Sequence, residues 1–261
     1  MSLKDHILNI SNLSKNFGGL SAVNNCSLKI KRGTITGIIG PNGSGKSTLF
    51  NLIAGSLKPN SGKVLFNNED ITNVPSHDLF SKGILRTFQI AHEFTNLTVL
   101  ENLMMVPSNQ LGENLISALF TRKKFKSQED KIRDKAYSVT EFLNLKHLAN
   151  ELAGNLSGGQ KKLLELGRTM MVDSKLVLLD EVGAGVNRTL LKDLGSAILK
   201  LNKEKGYTFC MIEHDMDFIS RMCDPVIVLS EGSVLFEGTS EEVKSNELVI
   251  ESYLGRSNKK N

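Results

Sequence analysis

Residues 40–48 are the segment most directly tied to chemistry, since they read Gly-Pro-Asn-Gly-Ser-Gly-Lys-Ser-Thr and fit G-x-x-x-x-G-K-[ST]. Glycines in such a run let backbone N–H groups turn towards a phosphate, and the start of a following helix adds its dipole. The lysine would reach the β- and γ-phosphates, and the serine hydroxyl would bind Mg²⁺. We therefore predict a phosphate-binding loop made of Gly40, Pro41, Asn42, Gly43, Ser44, Gly45, Lys46, Ser47 and Thr48.

A second candidate site lies where the apolar run Leu176–Leu179 ends in two carboxylates, Asp180 and Glu181. A buried parallel strand that runs out into an acidic turn would look the same. With a phosphate loop upstream, we expect Asp180 to hold Mg²⁺. Glu181 would point to the other side of the strand end. That position suits a general base that polarises an attacking water.

Two further polar residues follow strand-like runs, Gln89 after Ile84–Phe88 and His214 after Tyr207–Ile212. Taken singly, each has an ordinary explanation. An isolated glutamine is most often a surface residue, and a lone histidine is most often structural, with Asp215 available to cap the next helix.

The run Leu-Ser-Gly-Gly-Gln ends at Gln160 and opens a predicted helix. Ser157 and Gln160 fit a capping box, so the simplest role of the run is to begin that helix. Gly158 and Gly159 leave the helix end bare, which exposes N–H donors and the positive end of the helix dipole.

The bulk properties of the chain narrow the class of protein. It has 261 residues, 40% of them hydrophobic, and a formal net charge of +4, so it can bury a substantial core. A nucleic-acid-binding surface would be denser in basic residues, and we expect no nucleic-acid partner.

The cysteines Cys26, Cys210 and Cys223 form no CxxC and are expected to be reduced and buried. No apolar stretch approaches the roughly 20 residues that cross a bilayer, and no signal peptide is evident. We therefore expect any membrane contact to run through partner proteins.

Strand-like and helical segments alternate over much of the chain, which predicts an α/β fold with a mostly parallel sheet. Strand-like runs fill the first third and return at Leu176. Between Ala91 and Gly167 the pattern is helical. One predicted helix has an apolar face made of Ile132, Ala136, Val139 and Leu143.

The order of these features is phosphate loop, glutamine, Leu-Ser-Gly-Gly-Gln signature, acidic strand end and histidine. In this order the chain resembles the ATP-binding subunits of ABC transporters, nearly from end to end. The resemblance implies an ATPase that binds ATP and Mg²⁺. Phe17 would stack on adenine, and Gln89 would contact Mg²⁺ and the lytic water. Asp180 and Glu181 would serve Mg²⁺ and the water respectively, and His214 would hold the γ-phosphate and link it to Glu181.

The resemblance also implies a site that two cassettes complete. The signature of one subunit would face the γ-phosphate bound by the other, so that ATP closes a head-to-tail dimer and hydrolysis releases it. The second cassette would be another copy of this chain or a homologous chain. The residues implied to act in trans are Ser157, Gly158, Gly159 and Gln160.

The fold that the resemblance implies is the ABC-type P-loop NTPase fold. It has a RecA-like, mostly parallel sheet, an antiparallel β subdomain and an inserted α-helical subdomain. We expect one nucleotide-binding domain, with residues 1–90 and 168–261 as the core ATPase lobe and residues 91–167 as the helical subdomain. Two integral-membrane permease subunits, and indirectly a periplasmic solute-binding protein, would place the chain on the cytoplasmic face of the inner membrane.

A narrower similarity points to the first ATPase subunit of high-affinity branched-chain amino acid importers. It rests on residues 17–23, Arg86–Gln89, the closing Tyr253–Gly255 and the extra segment Gly112–Lys126. Urea and short-amide importers have most of these features. Lipopolysaccharide-export ATPases have the pattern of residues 17–23 but generally lack the extra segment. Both classes of transporter therefore remain alternatives. The solute is selected by partner proteins.

The loop after the acidic strand departs from the family's pattern. Val182 stands where a proline is usual, and residues 183–188 read Gly-Ala-Gly-Val-Asn-Arg where a form close to Ala-Ala-Gly-Leu-Asn-Pro is usual. Glycine and the missing prolines give the backbone more freedom, so we expect this loop, which faces the second cassette, to be loosened.

A permease helix would dock in a groove around Gln89 and Ile90–Asn102. Three apolar residues of this segment could line the groove or belong to the core of the helical subdomain. The sequence does not separate the two readings for Phe94, Leu97 and Leu100.

Overall fold

The computed structural model describes residues 5–87, 94–107, 122–172 and 174–254. Gln89, Ile90, most of the extra segment and the tail from residue 255 lie outside these residues. The chain divides into two compact units. The first takes in Met1–Gln89, Lys175–Ala184 and Ile198–Asn261, and the second takes in Ile90–Ser174 and Gly185–Ala197.

Strands β1 to β10 all belong to the first unit. Their bounds are β1 (His6–Phe17), β2 (Leu20–Lys31), β3 (Ile35–Ile39), β4 (Ser61–Phe66), β5 (Glu69–Asp70), β6 (Ile84–Arg86), β7 (Leu176–Asp180), β8 (Thr208–Ile212), β9 (Val226–Ser230) and β10 (Ser233–Gly238). Within the described ranges, six strands form a sheet in the order β10-β9-β3-β8-β7-β6, and four form a second sheet in the order β2-β1-β4-β5. All pairings in the first sheet are parallel except that of β9 with β10, and the second sheet is antiparallel. The mostly parallel sheet and the antiparallel subdomain are thus confirmed.

Helices cover the main sheet and build the second unit. Their bounds are α1 (Lys46–Ile53), α2 (Ser76–Lys82), α3 (Val99–Met104), α4 (Arg122–Phe142), α5 (Gly158–Met170), α6 (Arg188–Lys205), α7 (Met216–Met222), α8 (Ser240–Ser245) and α9 (Glu247–Leu254). Within the described parts of the chain, no helix is both long and apolar enough to span a membrane.

The core of the first unit explains why its central strands read as apolar runs. Every residue of β3, β7 and β8 is buried, as expected for parallel strands that are covered on both faces. The three cysteines are buried and free, as expected. Helix α1 ends at Ile53, because Gly55 has a φ of 68° and turns the chain out of the helix.

The second unit packs its helices around a close approach at Gly167 of α5. A Cβ at this position would lie 2.8 Å from Leu143 Cδ1, with Val139 and Leu103 also in contact. Leu100 is 9% exposed and is therefore buried, whereas Phe94 is 50% exposed. The segment that could line a groove or belong to the core therefore does some of each. Leu100 is buried, and Phe94 lies at the surface.

The register of the main sheet brings the predicted site residues to one edge. Ile212 of β8 pairs with Ile38 of β3 on one side and with Asp180 of β7 on the other. The strands are parallel, so their carboxyl ends lie together, and ligands of open α/β sheets bind at such an edge.

Candidate active site

The phosphate loop, residues 40–48, connects β3 to α1 and is held tightly by the strands around it. A Cβ at Gly40 would collide with the carbonyl oxygen of Leu229 in β9, and one at Gly45 would collide with that of Ala22 in β2. Gly45 also has a φ of 97° immediately before α1, a conformation that side chains disfavour. These two positions require glycine.

Lys46 is the first residue of α1 and is only 6% exposed. Its Nζ donates hydrogen bonds to the carbonyl oxygens of Gly40 at 2.7 Å and Pro41 at 3.0 Å. Burial lowers the pKa of Lys46, and the nearby Glu181 and Asp180 carboxylates oppose that shift. Because a phosphate oxygen forms a stronger, charge-assisted bond than a neutral carbonyl, this arrangement can bind a phosphate.

Glu181 and His214 form a hydrogen-bonded pair at the ends of β7 and β8. His214 Nε2 lies 3.0 Å from Glu181 Oε1. The Glu181 N–H donates to the carbonyl oxygen of Ile212 at 3.0 Å, and Glu181 has a φ of 49°. Such a conformation is uncommon outside glycine and is found at active sites. A carboxylate fixed in this way can polarise a water molecule.

Glu213 is a buried carboxylate of the site that the sequence did not single out. It is 5% exposed. Its Oε1 accepts the Gly183 N–H at 2.7 Å, and its Oε2 accepts the His214 N–H at 3.3 Å. The loop after β7 was expected to be loosened, but its first residues are anchored, since Val182 is also only 4% exposed. How this loop couples two sites stays a prediction.

The ionisation of Glu213 should make the stability of the chain depend on pH. Burial raises the pKa of Glu213 above its ordinary 4.5, and the like charge of Glu181 adds to the shift. A carboxyl with a raised folded-state pKa stabilises the fold fully below its unfolded pKa, and this contribution is lost as pH rises through the folded value. The unfolding temperature of Glu213→Gln minus that of wild type should therefore increase from pH 4.5 to pH 8. Thermal unfolding across this range measures the difference, with the exposed Glu204→Gln as the control for charge. A constant difference would contradict the prediction.

Arg86 is a second residue that the sequence did not assign. It ends β6, and its Nη2 lies 2.6 Å from Asp180 Oδ2. Its position just before the predicted glutamine loop was the available signal, but the pairing of β6 with β7 could not be read from the sequence.

The proposed adenine-stacking residue, Phe17, ends β1 and is 48% exposed. The Lys15 Nζ lies 5.4 Å from the centre of its ring. An exposed aromatic face can stack on a flat heterocycle. Gln89 lies outside the described residues.

The signature run begins α5 in the second unit with the predicted capping box. The Ser157 hydroxyl oxygen accepts the Gln160 N–H at 3.4 Å, and Gln160 Oε1 accepts the Ser157 N–H at 2.8 Å. Asp215 likewise caps α7, as expected, by accepting two N–H groups.

The two glycines of the signature should respond differently to alanine. A Cβ at Gly159 would lie 2.6 Å from Leu190 Cβ and 2.9 Å from Leu190 Cγ, whereas one at Gly158 would lie 3.7 Å from its nearest neighbour, the Gly185 carbonyl oxygen. Gly159→Ala should cost about 1–3 kcal/mol of unfolding free energy by overpacking. Gly158→Ala should change it by about 0.5 kcal/mol or less.

Denaturant unfolding of both alanine variants measures this difference. Leu190→Ala, added to Gly159→Ala, should recover part of the loss because it removes the Leu190 Cγ and Cδ1 atoms and leaves only Cβ in the way. Equal stability of the two glycine variants would exclude the close approach of α5 to α6.

Comparison with known proteins agrees with this geometry. Residues 23–184 match the ABC transporter family, and residues 233–257 match the branched-chain amino acid ATP-binding cassette transporter family. The chain is 43% identical to the probable branched-chain amino acid transport ATP-binding protein LivG of Archaeoglobus fulgidus, over 95% of both chains.

Two solved structures are also similar. A nucleotide-free ATP-binding cassette from an ABC transporter has a TM-score of 0.82 and 41% identity, over 96% of this chain and 100% of that chain. A dimeric ATP-binding cassette in a post-hydrolysis state, bound to ADP and Pi, has a TM-score of 0.71 and 26% identity, over 89% of this chain and 98% of that chain. Together with the phosphate loop and the signature helix, these matches show that the chain belongs to the ABC transporter family, as one of its ATP-binding, ATP-hydrolysing subunits.

Proposed function

We propose that this chain powers an importer of branched-chain amino acids by hydrolysing ATP. ATP hydrolysis is supported chiefly by the Glu181–His214 pair, whose side chains lie 3.0 Å apart. The pair lies at the sheet edge where the phosphate loop begins. The solute is supported by the match at residues 233–257 and by the name of the relative from Archaeoglobus fulgidus.

The phosphate loop would bind the triphosphate of ATP. Lys46 would exchange its carbonyl partners for the β- and γ-phosphates. The N-terminus of α1 and the loop N–H groups would add further donors. Phe17 would stack on the adenine ring, and its half-exposed face supports this role.

The residues around the loop fit Mg²⁺ by the chemistry of their donor atoms. Ser47 offers an exposed hydroxyl and Asp180 offers a carboxylate. Gln89, which lies outside the described residues, would add an amide oxygen. Mg²⁺ prefers such oxygen donors and usually takes one or two carboxylates together with phosphates and waters. When bound, it would neutralise the charge that develops on the β- and γ-phosphate oxygens.

For hydrolysis, Glu181 would accept a hydrogen bond from the attacking water and polarise it. His214 would hold the Glu181 carboxylate in place and bind the γ-phosphate. Gln89 would orient the same water. Each of these residues would position the attacking water or the γ-phosphate. Positioning and electrostatic stabilisation are the main ways in which proteins catalyse phosphoryl transfer.

A second cassette would complete the site. Ser157, Gly158, Gly159 and Gln160 would present the N-terminus of α5 to the γ-phosphate bound by the other chain. The similar dimeric cassette supports this arrangement. The partner would be a second copy or a homologous ATPase, arranged head to tail, so that ATP closes the pair and hydrolysis opens it.

Two permease subunits would dock on the second unit, near Phe94, and hold the chain at the cytoplasmic face of the inner membrane. The buried Asn102 supports this location, because it fixes the backbone under the exposed Phe94 ring. Its Oδ1 accepts the Phe94 N–H at 2.8 Å, and its Nδ2 donates to the Phe94 carbonyl oxygen at 3.0 Å. The Arg168 guanidinium lies 5.8 Å from the centre of the ring. A periplasmic binding protein would deliver the solute to the permease.

Uptake of labelled leucine and labelled urea tests the solute. Cells that carry Glu181→Gln in place of the native chain should lose leucine uptake at least tenfold and keep urea uptake, since removal of a general base costs roughly 10²–10⁴-fold. Cells with the exposed Glu204→Gln should keep both. Loss of urea uptake alone would indicate that the chain powers a urea or short-amide importer instead. If neither uptake changes, the importer proposal is wrong, and export becomes the next activity to test.

A further inference from the structure

Arg86 joins the acidic strand end to the helix that carries Lys46. Its Nη2 donates to Asp180 Oδ2 at 2.6 Å, and its Nη1 donates to Asn51 Oδ1 at 2.5 Å. Asn51 belongs to α1, the helix that begins at Lys46. The guanidinium therefore bridges a strand and a helix, and its fixed fork of N–H donors suits arginine to hold two partners at once.

The backbone fixes this bridge, and the ion pair is shielded from water. Arg86 pairs with Leu178 in the parallel register of β6 and β7. Leu178 lies two residues before Asp180 and faces the same side of the sheet. The side chains of Arg86 and Asp180 are only 17% and 7% exposed. Such a pair is not a surface contact, and removing one partner leaves a buried charge without compensation.

That charge would act on Lys46. Asp180 lies one strand beyond Ile212 and two strands from Ile38, so it is roughly 10 Å from the start of the phosphate loop at the usual strand spacing. Glu181 and, to a smaller extent, Asp180 already favour the charged form of Lys46, against the effect of its burial. Without its guanidinium partner, the carboxylate would attract the ammonium and repel an approaching phosphate.

We propose that Arg86 is a positioning residue for nucleotide binding. It acts as the fixed counter-ion of Asp180 and keeps this carboxylate from competing with the phosphates for Lys46. This role rests on the proposed nucleotide site at the phosphate loop and adds a residue that acts through Asp180 without touching the nucleotide. The effect should be strongest without Mg²⁺, because Asp180 would hold the cation when it is bound and the cation would offset the charge of the carboxylate.

Titration of the full chain with the fluorescent nucleotide mant-ADP, in EDTA and in saturating Mg²⁺, tests the proposal. In EDTA, Arg86→Gln should bind mant-ADP about tenfold more weakly than wild type, as expected for one unpaired charge roughly 10 Å away. In Mg²⁺ the loss should be about threefold or less. Arg86→Lys keeps the charge but loses the fork, and should bind within about threefold of wild type in EDTA.

A second variant keeps the test valid if Arg86→Gln does not fold. Asp180→Asn leaves the positive charge of Arg86 in place and removes its partner, so mant-ADP should bind several-fold more tightly in EDTA. The double variant Arg86→Gln/Asp180→Asn should bind mant-ADP in EDTA with about the affinity of wild type, because both charges of the pair are gone. Thermal unfolding identifies any variant that fails to fold.

Three outcomes would overturn the assignment of Arg86. They are wild-type affinity of Arg86→Gln in EDTA, an equal loss in EDTA and in Mg²⁺, and weaker binding by Asp180→Asn in EDTA. An equal loss in both conditions would mark a purely structural ion pair. If wild type and Lys46→Ala bind mant-ADP equally, the nucleotide site itself fails, and the role of Arg86 fails with it.

Discussion

Lys46→Ala is expected to weaken ATP binding at least a hundredfold. The Lys46 ammonium is buried at the start of α1, and its partners are neutral: two carbonyl oxygens and the Ser44 hydroxyl. Two charge-assisted hydrogen bonds to phosphate are worth about 1.5–3 kcal/mol each, and every 1.4 kcal/mol changes affinity about tenfold. Titration with a fluorescent ATP analogue measures the loss.

The exposed Lys58→Ala is the matched control, since it removes the same charge from the surface of the same unit. It should leave the affinity for ATP unchanged within about twofold, because exposed charges are screened by salt. If Lys46→Ala binds ATP within threefold of wild type, the phosphate loop does not bind the nucleotide as we describe.

Glu181→Gln is expected to lower the rate of ATP hydrolysis by about 10²–10⁴-fold while ATP still binds. Glutamine has the shape of glutamate and can keep a hydrogen bond to His214, but it cannot take a proton from the attacking water. The rate at saturating ATP should therefore fall, and the dissociation constant for ATP should stay within about threefold of wild type.

Phosphate release measures the hydrolysis rate, and nucleotide fluorescence measures binding in the same preparation. Glu204→Gln, an exposed glutamate with the same change of charge, should hydrolyse ATP at the wild-type rate. Hydrolysis by Glu181→Gln within tenfold of wild type would exclude Glu181 as the general base.

The parts of the site that were predicted from the sequence are those in which the chemistry is local. The phosphate loop needs only a strand, a run of glycines and a helix start, and all three are adjacent in the chain. The capping box at Ser157 spans three residues and forms as predicted. The predicted apolar face is buried at Ala136 and Val139 of α4 and at Leu143 just after the helix, whereas Ile132 is only partly buried.

The parts that were missed depend on contacts between distant segments. Arg86 meets Asn51 and Asp180 across 35 and 94 residues of chain, and only the order of strands in the sheet brings them together. Glu213 reads as part of a polar turn, yet it is buried and accepts the Gly183 N–H across 30 residues of chain. Hydrophobic patterns do not encode such pairings.

Phe94 shows the same limit on the scale of a single loop. Its apolar side chain suits a core position, and nothing in the local pattern separates it from Leu100. The structure separates them because Asn102 binds the Phe94 backbone and leaves the ring 50% exposed.

Two cassettes are expected to bind ATP between them, with the phosphate loop of one chain and the signature of the other. The mass of Glu181→Gln in solution, measured by light scattering with ATP and with ADP, tests it most directly. The chain is measured alone and mixed with the second ATPase subunit of its transporter, and Ser157→Arg serves as the variant that blocks the signature. We expect a particle of two cassettes with ATP in at least one of the two preparations, a single cassette with ADP, and no pairing of two Ser157→Arg chains. A single cassette in both preparations with saturating ATP would show that two cassettes do not bind ATP between them.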